Sequence, residues 1–206
     1  MSIIPDALID RTLEVYRVSP TPAIRSGIRT YISLLLRWNE KVSLTAVTDP
    51  LEILRRHFGE SMFAASAVPI RDGRLADVGS GAGFPGLPLK IVVRSLDLVL
   101  IESNAKKASF LSECIRELDL VGAEVVRSRF EDLRVRALDF ITARALGGYE
   151  DLIKWAQDNL ALSGAAVLWL GQNDATNLQS DPALEWRSPI AIPSSDRRVL
   201  LVGIHK

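Results

Sequence analysis

Residues 75–91 read LADVGSGAGFPGLPLKI, and the interpretation of that stretch decides the fold. A short apolar run ends on an acid, Asp77. Glycines follow at every second position, Gly79, Gly81 and Gly83, and a second apolar run carries Pro85 and Pro88 near its start. This is a buried strand, a bend without side chains and a helix that tolerates proline only in its first turn. Glycine accepts positive φ and removes the Cβ that would block a ligand from the backbone. The helix behind the bend presents unpaired N–H groups that suit an anion.

The next run, LDLVLIES at 96–103, is a continuous apolar strand of the doubly covered type and ends at Glu102. An acid there, about 20 residues past the loop, is placed to accept hydrogen bonds from both hydroxyls of a ribose. The bland alternative is a generic strand-to-helix turn with Glu102 as a solvated helix cap. The two features together favour an adenosine ligand. The glycine pattern alone leaves its other half open, because Gly81-x-Gly83-x-x-Gly86 also satisfies the dinucleotide fingerprint. Asp77 bears on the choice: an acid two residues before the first glycine repels a pyrophosphate. It suits a ligand with a cationic amino-acid end, such as S-adenosylmethionine.

Outward from the loop, strands and helices alternate. NAKKASFLSECIREL is a helix with Asn104 as its cap, AEVVRS and ALDFITARA are strands, YEDLIKWAQDNL is a helix and AAVLWLG a strand. This order implies right-handed crossovers and a parallel sheet. SPIAI and RRVLLVGIHK, joined by PSSD, read as an antiparallel hairpin, and the polar stretch 172–188 as loop. Residues 1–72 read as helical: AIRSGIRTYISLLLRWNE is amphipathic, and TDPLEILRRHFGESMFAAS starts from Thr48 or Asp49 with Pro50 in its first turn. The expected organisation is an N-terminal helical region, 1–72, packed on a Rossmann-like domain, 73–206.

Composition agrees with a globular protein. Of 206 residues, 48% are hydrophobic and 24% charged, and the formal net charge is zero, which disfavours a generally basic nucleic-acid coat. The one cysteine, Cys114, excludes an internal disulfide and fits a reducing compartment. The start, MSIIPDALID, lacks a basic region before an apolar core, and no run reaches the roughly 20 residues needed to cross a bilayer. A cytoplasmic, non-membrane protein is expected.

Several stretches together resemble one family. LLLRWNEKVSLTAVTDPLEILRRHFGES at 34–61, the glycine loop, ESNAKKASFL at 102–111, VVRSRFEDL at 125–133 and ITARAL at 141–146 follow in that family's order. The chain is similar to the RsmG (GidB) family, whose members methylate N7 of one guanine in the 530 loop of bacterial 16S ribosomal RNA. The resemblance implies a class I S-adenosylmethionine-dependent methyltransferase fold: α/β, a mostly parallel seven-stranded sheet with an antiparallel C-terminal hairpin. It also implies S-adenosylmethionine as cofactor, S-adenosylhomocysteine as product, and 16S rRNA or the small ribosomal subunit as partner. Gly79, Phe84, Phe130, Glu131 and Arg144 match the family's cofactor contacts, beside Asp77, Gly81, Gly83 and Glu102 from the loop and strand reading. Three positions depart from the family pattern: Ser43 for asparagine, Glu60 for aspartate, and Leu170 for a common lysine.

The chemistry legible in the residues is restrained. TARAL closes the fourth strand, without the Asn/Asp-Pro-Pro-aromatic motif of exocyclic amine methylation or a cysteine nucleophile. Cys114 lies in a helix and reads as a small buried residue. What remains is attack by an atom that carries no proton, such as guanine N7, with no general base. Arg144 is the candidate for orienting the cofactor or the guanine; a salt bridge at the rim is its alternative. Arg127, Arg129, Lys106 and Lys107, with Arg134 and Arg136 nearby, are candidate RNA contacts, balanced against ordinary solvated charge. His57, Glu60 and Ser61 lack a nucleophile elbow and read as a polar network tying the helices to the loop. No metal is expected, and a monomer is. Two rival readings share the fold: a small-molecule methyltransferase, and a non-catalytic nucleotide-binding module.

Overall fold

The computed structural model describes residues 4–206; the first three residues of the expected helical region and of the chain start lie outside it. Its strands are β1 (Arg74–Val78), β2 (Asp97–Ile101), β3 (Ala123–Val126), β4 (Leu138–Arg144), β5 (Leu160–Gly171), β6 (Glu185–Trp186), β7 (Ile190–Ala191) and β8 (Arg198–Ile204). They form one sheet in the order β3-β2-β1-β4-β5-β8-β6, with β7 also on β8. β1 to β5 are parallel, and β8 is antiparallel to β5. β6 and β7 both pair antiparallel to β8, Trp186 opposite Gly203 and Ile190 opposite Leu200. They are two pieces of one broken edge strand, so eight segments fill seven positions.

Helices cover both faces. α1 (Asp6–Glu14), α2 (Pro22–Asn39), α4 (Glu60–Ala67), α5 (Gly86–Val92) and α6 (Ala105–Glu117) lie on one. α7 (Tyr149–Asn159) and α8 (Gln172–Leu178) lie on the other. Alternation along the strands feeds two cores. Leu75, Leu98, Leu100 and Val167 join the first cluster, and Ala76, Val99, Ile141 and Leu168 join the second. Side chains of successive strand residues point to opposite faces, so a sheet covered on both sides must be apolar at nearly every position. The helices before β1 share the first cluster with the sheet.

Two sequence expectations need correction. The stretch 172–188 is not simply loop: it contains α8, which buries only Ala175 and Leu178, and β6. The helix expected from Asp49 to Ser66 is not uniform. Asp49 does cap it, accepting from the Glu52 N–H at 2.8 Å, and α3 (Pro50–Glu52) follows. Residues Ile53–Gly59 then form a π-helix before α4. That wider turn presents Arg56 and His57 at the carboxyl edge of the sheet, where the cleft described below opens; such segments are frequent at functional sites.

Candidate functional site

Sheet order reverses between β1 and β4, the topological switch at which ligands of such folds bind. Beyond β1 the chain makes its bend. Gly79, Gly81 and Gly83 all have positive φ, at 66°, 57° and 85°. A cleft of about 230 Å³ opens there, lined by Gly79, Glu102, Phe130, Glu131, Leu146 and neighbouring backbone. β2 delivers Glu102, β3 and the turn after it deliver Phe130 and Glu131, and the segment after β4 delivers Leu146. The parallel pairing of β1 to β4 brings these ends to one edge.

The three glycines do different work. A Cβ on Gly81 would find no protein atom nearer than the Gly79 carbonyl oxygen at 3.7 Å, so this backbone lies against open space. A Cβ on Gly83 would strike the Tyr31 hydroxyl, Leu87 Cδ1 at 2.5 Å and Leu111 Cδ2 at 3.0 Å. At Gly83 the absence of a side chain is therefore demanded by packing against Tyr31, Leu87 and Leu111. α2 fills that space with Tyr31, whose hydroxyl also donates to the Ala82 carbonyl. Phe84 is likewise turned inward. One face stacks on Tyr31, centroids 5.2 Å apart, and the other on His57 at 4.7 Å. With both faces covered, its ring locks the bend onto the helices and leaves only backbone for a ligand.

Asp77 also departs from expectation. It is 0% exposed, and its oxygens are engaged: Oδ1 accepts from the Thr142 hydroxyl at 2.8 Å and Oδ2 from the Gly86 N–H at 3.2 Å. Burial pushes its carboxyl up to about 7, against hydrogen bonds from Thr142 and Gly86 that pull it down. It ties β1 to β4 and to the start of α5 rather than facing a ligand's cation. Glu102, 7% exposed, holds the bend from the other side. Oε2 accepts from the Gly81 N–H at 2.8 Å and Oε1 from the Asn104 N–H at 2.7 Å. A carboxylate has about four acceptor sites, so two remain for a diol. Asn104 caps α6 by accepting from the N–H groups of Lys106 and Lys107. Phe130 lines the cleft while its ring packs edge-on against Trp155, centroids 5.9 Å apart.

On the other side of the cleft Arg144, at the end of β4, meets Glu60. Glu60 is 1% exposed; Oε2 lies 3.2 Å from Arg144 Nη2, and Oε1 accepts from Arg198 Nη2 at 2.6 Å. The Glu60 carbonyl also accepts from the Trp169 indole N–H at 2.9 Å. One residue of α4 thus joins β4, β5 and β8. The salt-bridge alternative for Arg144 describes this geometry, and the bridge is buried rather than at the rim. Arg198 has no local sequence signal and enters the site only through the fold. His57 bonds the Thr45 hydroxyl through Nε2 at 2.9 Å and stacks on Phe84, so it does tie the helices to the loop. Burial, then the nearby arginines, hold its imidazole down at about 3, neutral at physiological pH. Ser61 donates to the His57 carbonyl, so the three residues form no triad.

The remaining candidates separate by edge. Lys106 and Lys107 at the start of α6, and Arg127 and Arg129 after β3, stand at the carboxyl edge; Arg129 Nη2 lies 3.7 Å from Glu131. Arg134 pairs with Asp158 at 2.9 Å, near the C-terminus of α7, and the Val135 N–H donates to Asn159. α7 runs antiparallel to the strands, so Arg134 and Arg136 belong to the opposite edge and drop out of the expected basic rim. Leu170, where the family often has lysine, is 2% exposed and faces the core under α8, so its side chain reaches no ligand from there. Ser43 is exposed in the connection between α2 and α3. Cys114 is fully buried, and desolvation pushes its thiol well above the ordinary range.

Comparison with known proteins bears on the whole chain. The family model described as "GidB: rRNA small subunit methyltransferase G" matches residues 24–191. A protein of Xanthomonas campestris pv. campestris named ribosomal RNA small subunit methyltransferase G is 38% identical over 181 residues, covering 85% of this chain and 84% of its own. One of the same name from Xanthomonas euvesicatoria pv. vesicatoria is 35% identical and covers 100% and 98%. Among solved structures, a SAM-dependent methyltransferase from Aquifex aeolicus superposes with a TM-score of 0.63 at 14% identity, covering 77% of this chain and 94% of that one. The YcgJ protein of Bacillus subtilis gives 0.57 at 14% identity, covering 73% and 99%. At such identities the structural likeness speaks for the Rossmann-like class I fold alone.

Proposed function

This chain belongs to the rRNA small subunit methyltransferase G family, and from that premise we propose that it transfers a methyl group from S-adenosylmethionine to N7 of a guanine in the 530 loop of 16S rRNA. The observation that carries the reading is one cleft lined by Gly79 and Glu102, beside the open backbone of Gly81, whose N–H donates to the Glu102 carboxylate. Those groups fit an adenosine: the bend admits close approach and Glu102 keeps acceptor capacity for the ribose. Gly79, Gly81, Glu102 and the Phe130–Glu131 turn would hold the nucleoside, with Arg144 toward the methionine end. The cofactor supplies a methyl on a cationic sulfur, an electrophile needing no further activation.

The residues around the site suit a nucleophile that brings its own lone pair. Guanine N7 has one in the plane of the base and no proton to lose. Asp77 is spent on Thr142 and Gly86, His57 on Thr45, and the Cys114 thiol is buried. None is offered to a substrate as a base. The protein's contribution is then alignment of the lone pair with the methyl–sulfur axis, worth up to roughly 7–11 kcal/mol in well-oriented systems. A base with N7 exposed must come from single-stranded or irregular RNA, since the A-form major groove is deep and narrow. The test is transfer of tritiated methyl to small ribosomal subunits and to free 16S rRNA, followed by mapping of the modified base. Label at N7 of one guanine is expected. Label at a pyrimidine or an exocyclic amine, or none on RNA, refutes the proposal.

A further inference from the structure

Two charged rims flank the cleft, and they are not equivalent. On the β3 side stand Lys106, Lys107, Arg127 and Arg129 against Glu102, Glu131 and Asp132, nearly balanced. Lys106 and Lys107 also occupy the first turn of α6, where the helix dipole disfavours cations. On the other side, guanidinium groups from four separate segments converge. Arg144 and Arg198 share the single buried carboxylate of Glu60, and Arg56 on the π-helix acts on the same carboxylate. Beside them lies a notch of about 240 Å³ whose lining includes Arg11, Tyr16, Arg55 and Ser194. The Tyr16 ring packs against Gly59, the residue before Glu60, which places the notch and the Glu60 cluster side by side. Of the arginines there, Arg55 is paired with Glu52 at 2.9 Å.

That charge is partly desolvated and incompletely spent. Arg144 has a side chain 13% exposed, and its Nη1 has no hydrogen-bond partner among the described residues. Arg56 is exposed and makes no ion pair among them. Excess guanidinium beside a cleft is the arrangement that takes phosphate, bidentately where geometry permits. We infer that the substrate RNA lays its phosphates over the α1–π-helix–β8 rim, on Arg11, Arg55, Arg56 and Arg198, with the β3 rim secondary. The inference rests on the RNA methyltransferase reading and adds to it the side from which the strand enters. His57, next to Arg56 on the π-helix, stacks on Phe84 of the glycine bend, so that rim adjoins the bend at which a base would be presented.

The test is salt-dependent binding of 16S rRNA to the full chain between 0.05 and 0.2 M KCl, as conditions suited to counterion release. The R55A/R56A double variant removes two exposed arginines, and K106A/K107A is the comparison. Each phosphate contact to a single strand contributes a slope of about 0.7 in log affinity against log salt, so R55A/R56A is expected to lower the slope by about 1.4 and to weaken binding roughly 25-fold at 0.1 M. K106A/K107A is expected to change both far less. Calorimetric affinity for S-adenosylhomocysteine and the melting temperature report whether either variant has disturbed the cofactor site or the fold. Retention of slope and affinity by R55A/R56A, or the larger loss in K106A/K107A, overturns the inference while leaving the methyltransferase reading intact. Failure of the unaltered protein to bind RNA with any salt dependence overturns both.

Discussion

Replacing Gly83 and Gly81 by alanine, one at a time, should damage different properties. At Gly83 the backbone φ of 85° costs an L-residue roughly 1–2 kcal/mol. The new methyl also lands on the Tyr31 hydroxyl and 2.5 Å from Leu87 Cδ1, an overpacking worth about 1–3 kcal/mol. Tyr31 is fully buried, so driving its hydroxyl off the Ala82 carbonyl adds on the order of 1 kcal/mol. The total is about 4 kcal/mol, or a fall in melting temperature of roughly 8–16 °C at 2–4 °C per kcal/mol for a chain of this size. At Gly81 only the backbone term applies, because the nearest protein atom to the new methyl is 3.7 Å away. Gly81→Ala should melt about 2–8 °C below wild type. Its methyl stands in the space assigned to the cofactor, so S-adenosylhomocysteine should bind at least tenfold more weakly by calorimetry. Thermal melts and titrations on both variants decide the matter. A Gly83→Ala protein as stable as wild type, or a Gly81→Ala protein with unaltered cofactor affinity, would refute the division of labour.

Glu60→Gln leaves Arg144 buried without its counter-charge; stability should fall by about 3 kcal/mol in chemical denaturation, and an unchanged midpoint would mean that Arg144 is solvated elsewhere. Asp77 is raised from 3.8 to about 7, so the folded protein holds that proton more tightly than the unfolded chain, and wild-type stability should fall as pH rises through that interval and level off above it. Asp77→Asn should lack this component, which amounts to at most about 4 kcal/mol between pH 4 and pH 8; parallel stability curves for the two proteins would count against a buried, protonated Asp77. Glu102→Ala should weaken cofactor binding by about 1–3 kcal/mol, because it removes a ribose acceptor and frees the Gly81 N–H; equal affinity would take Glu102 out of the site.

What could be read from the sequence was carried by local signals. The apolar runs of β1 and β2 are unbroken because both sheet faces are covered, and the Asn104 cap and the spacing to Glu102 each span a few residues or one strand–helix unit. The features that escaped depend on distant partners. Gly83 resembles Gly79 and Gly81 until Tyr31, 52 positions earlier, fills its space. Phe84 looks like a cofactor contact until α2 and the π-helix cover its two faces. Arg198 carries no motif, and only the antiparallel pairing of β8 with β5 sets it opposite Gly171 and beside Glu60. α8 is nearly invisible because a seven-residue helix that buries two side chains produces almost no periodicity.

These distant contacts share one consequence. Tyr31, Phe58 and His57 from the helices before β1 pack around Phe84, and Glu60 holds the end of β4. The bend proposed to receive the cofactor is therefore shaped from outside the Rossmann-like core. In a bare strand–glycine–helix unit, a third glycine with positive φ would be free to admit a side chain or a ligand atom. Here Tyr31 occupies that place and holds the bend through the Ala82 carbonyl. The helical region thus backs the bend proposed for the cofactor and carries Arg11, Arg55 and Arg56 of the arginines assigned to RNA. Loosening its contact with the loop should impair cofactor affinity and RNA affinity together, whereas changes confined to either rim should separate them.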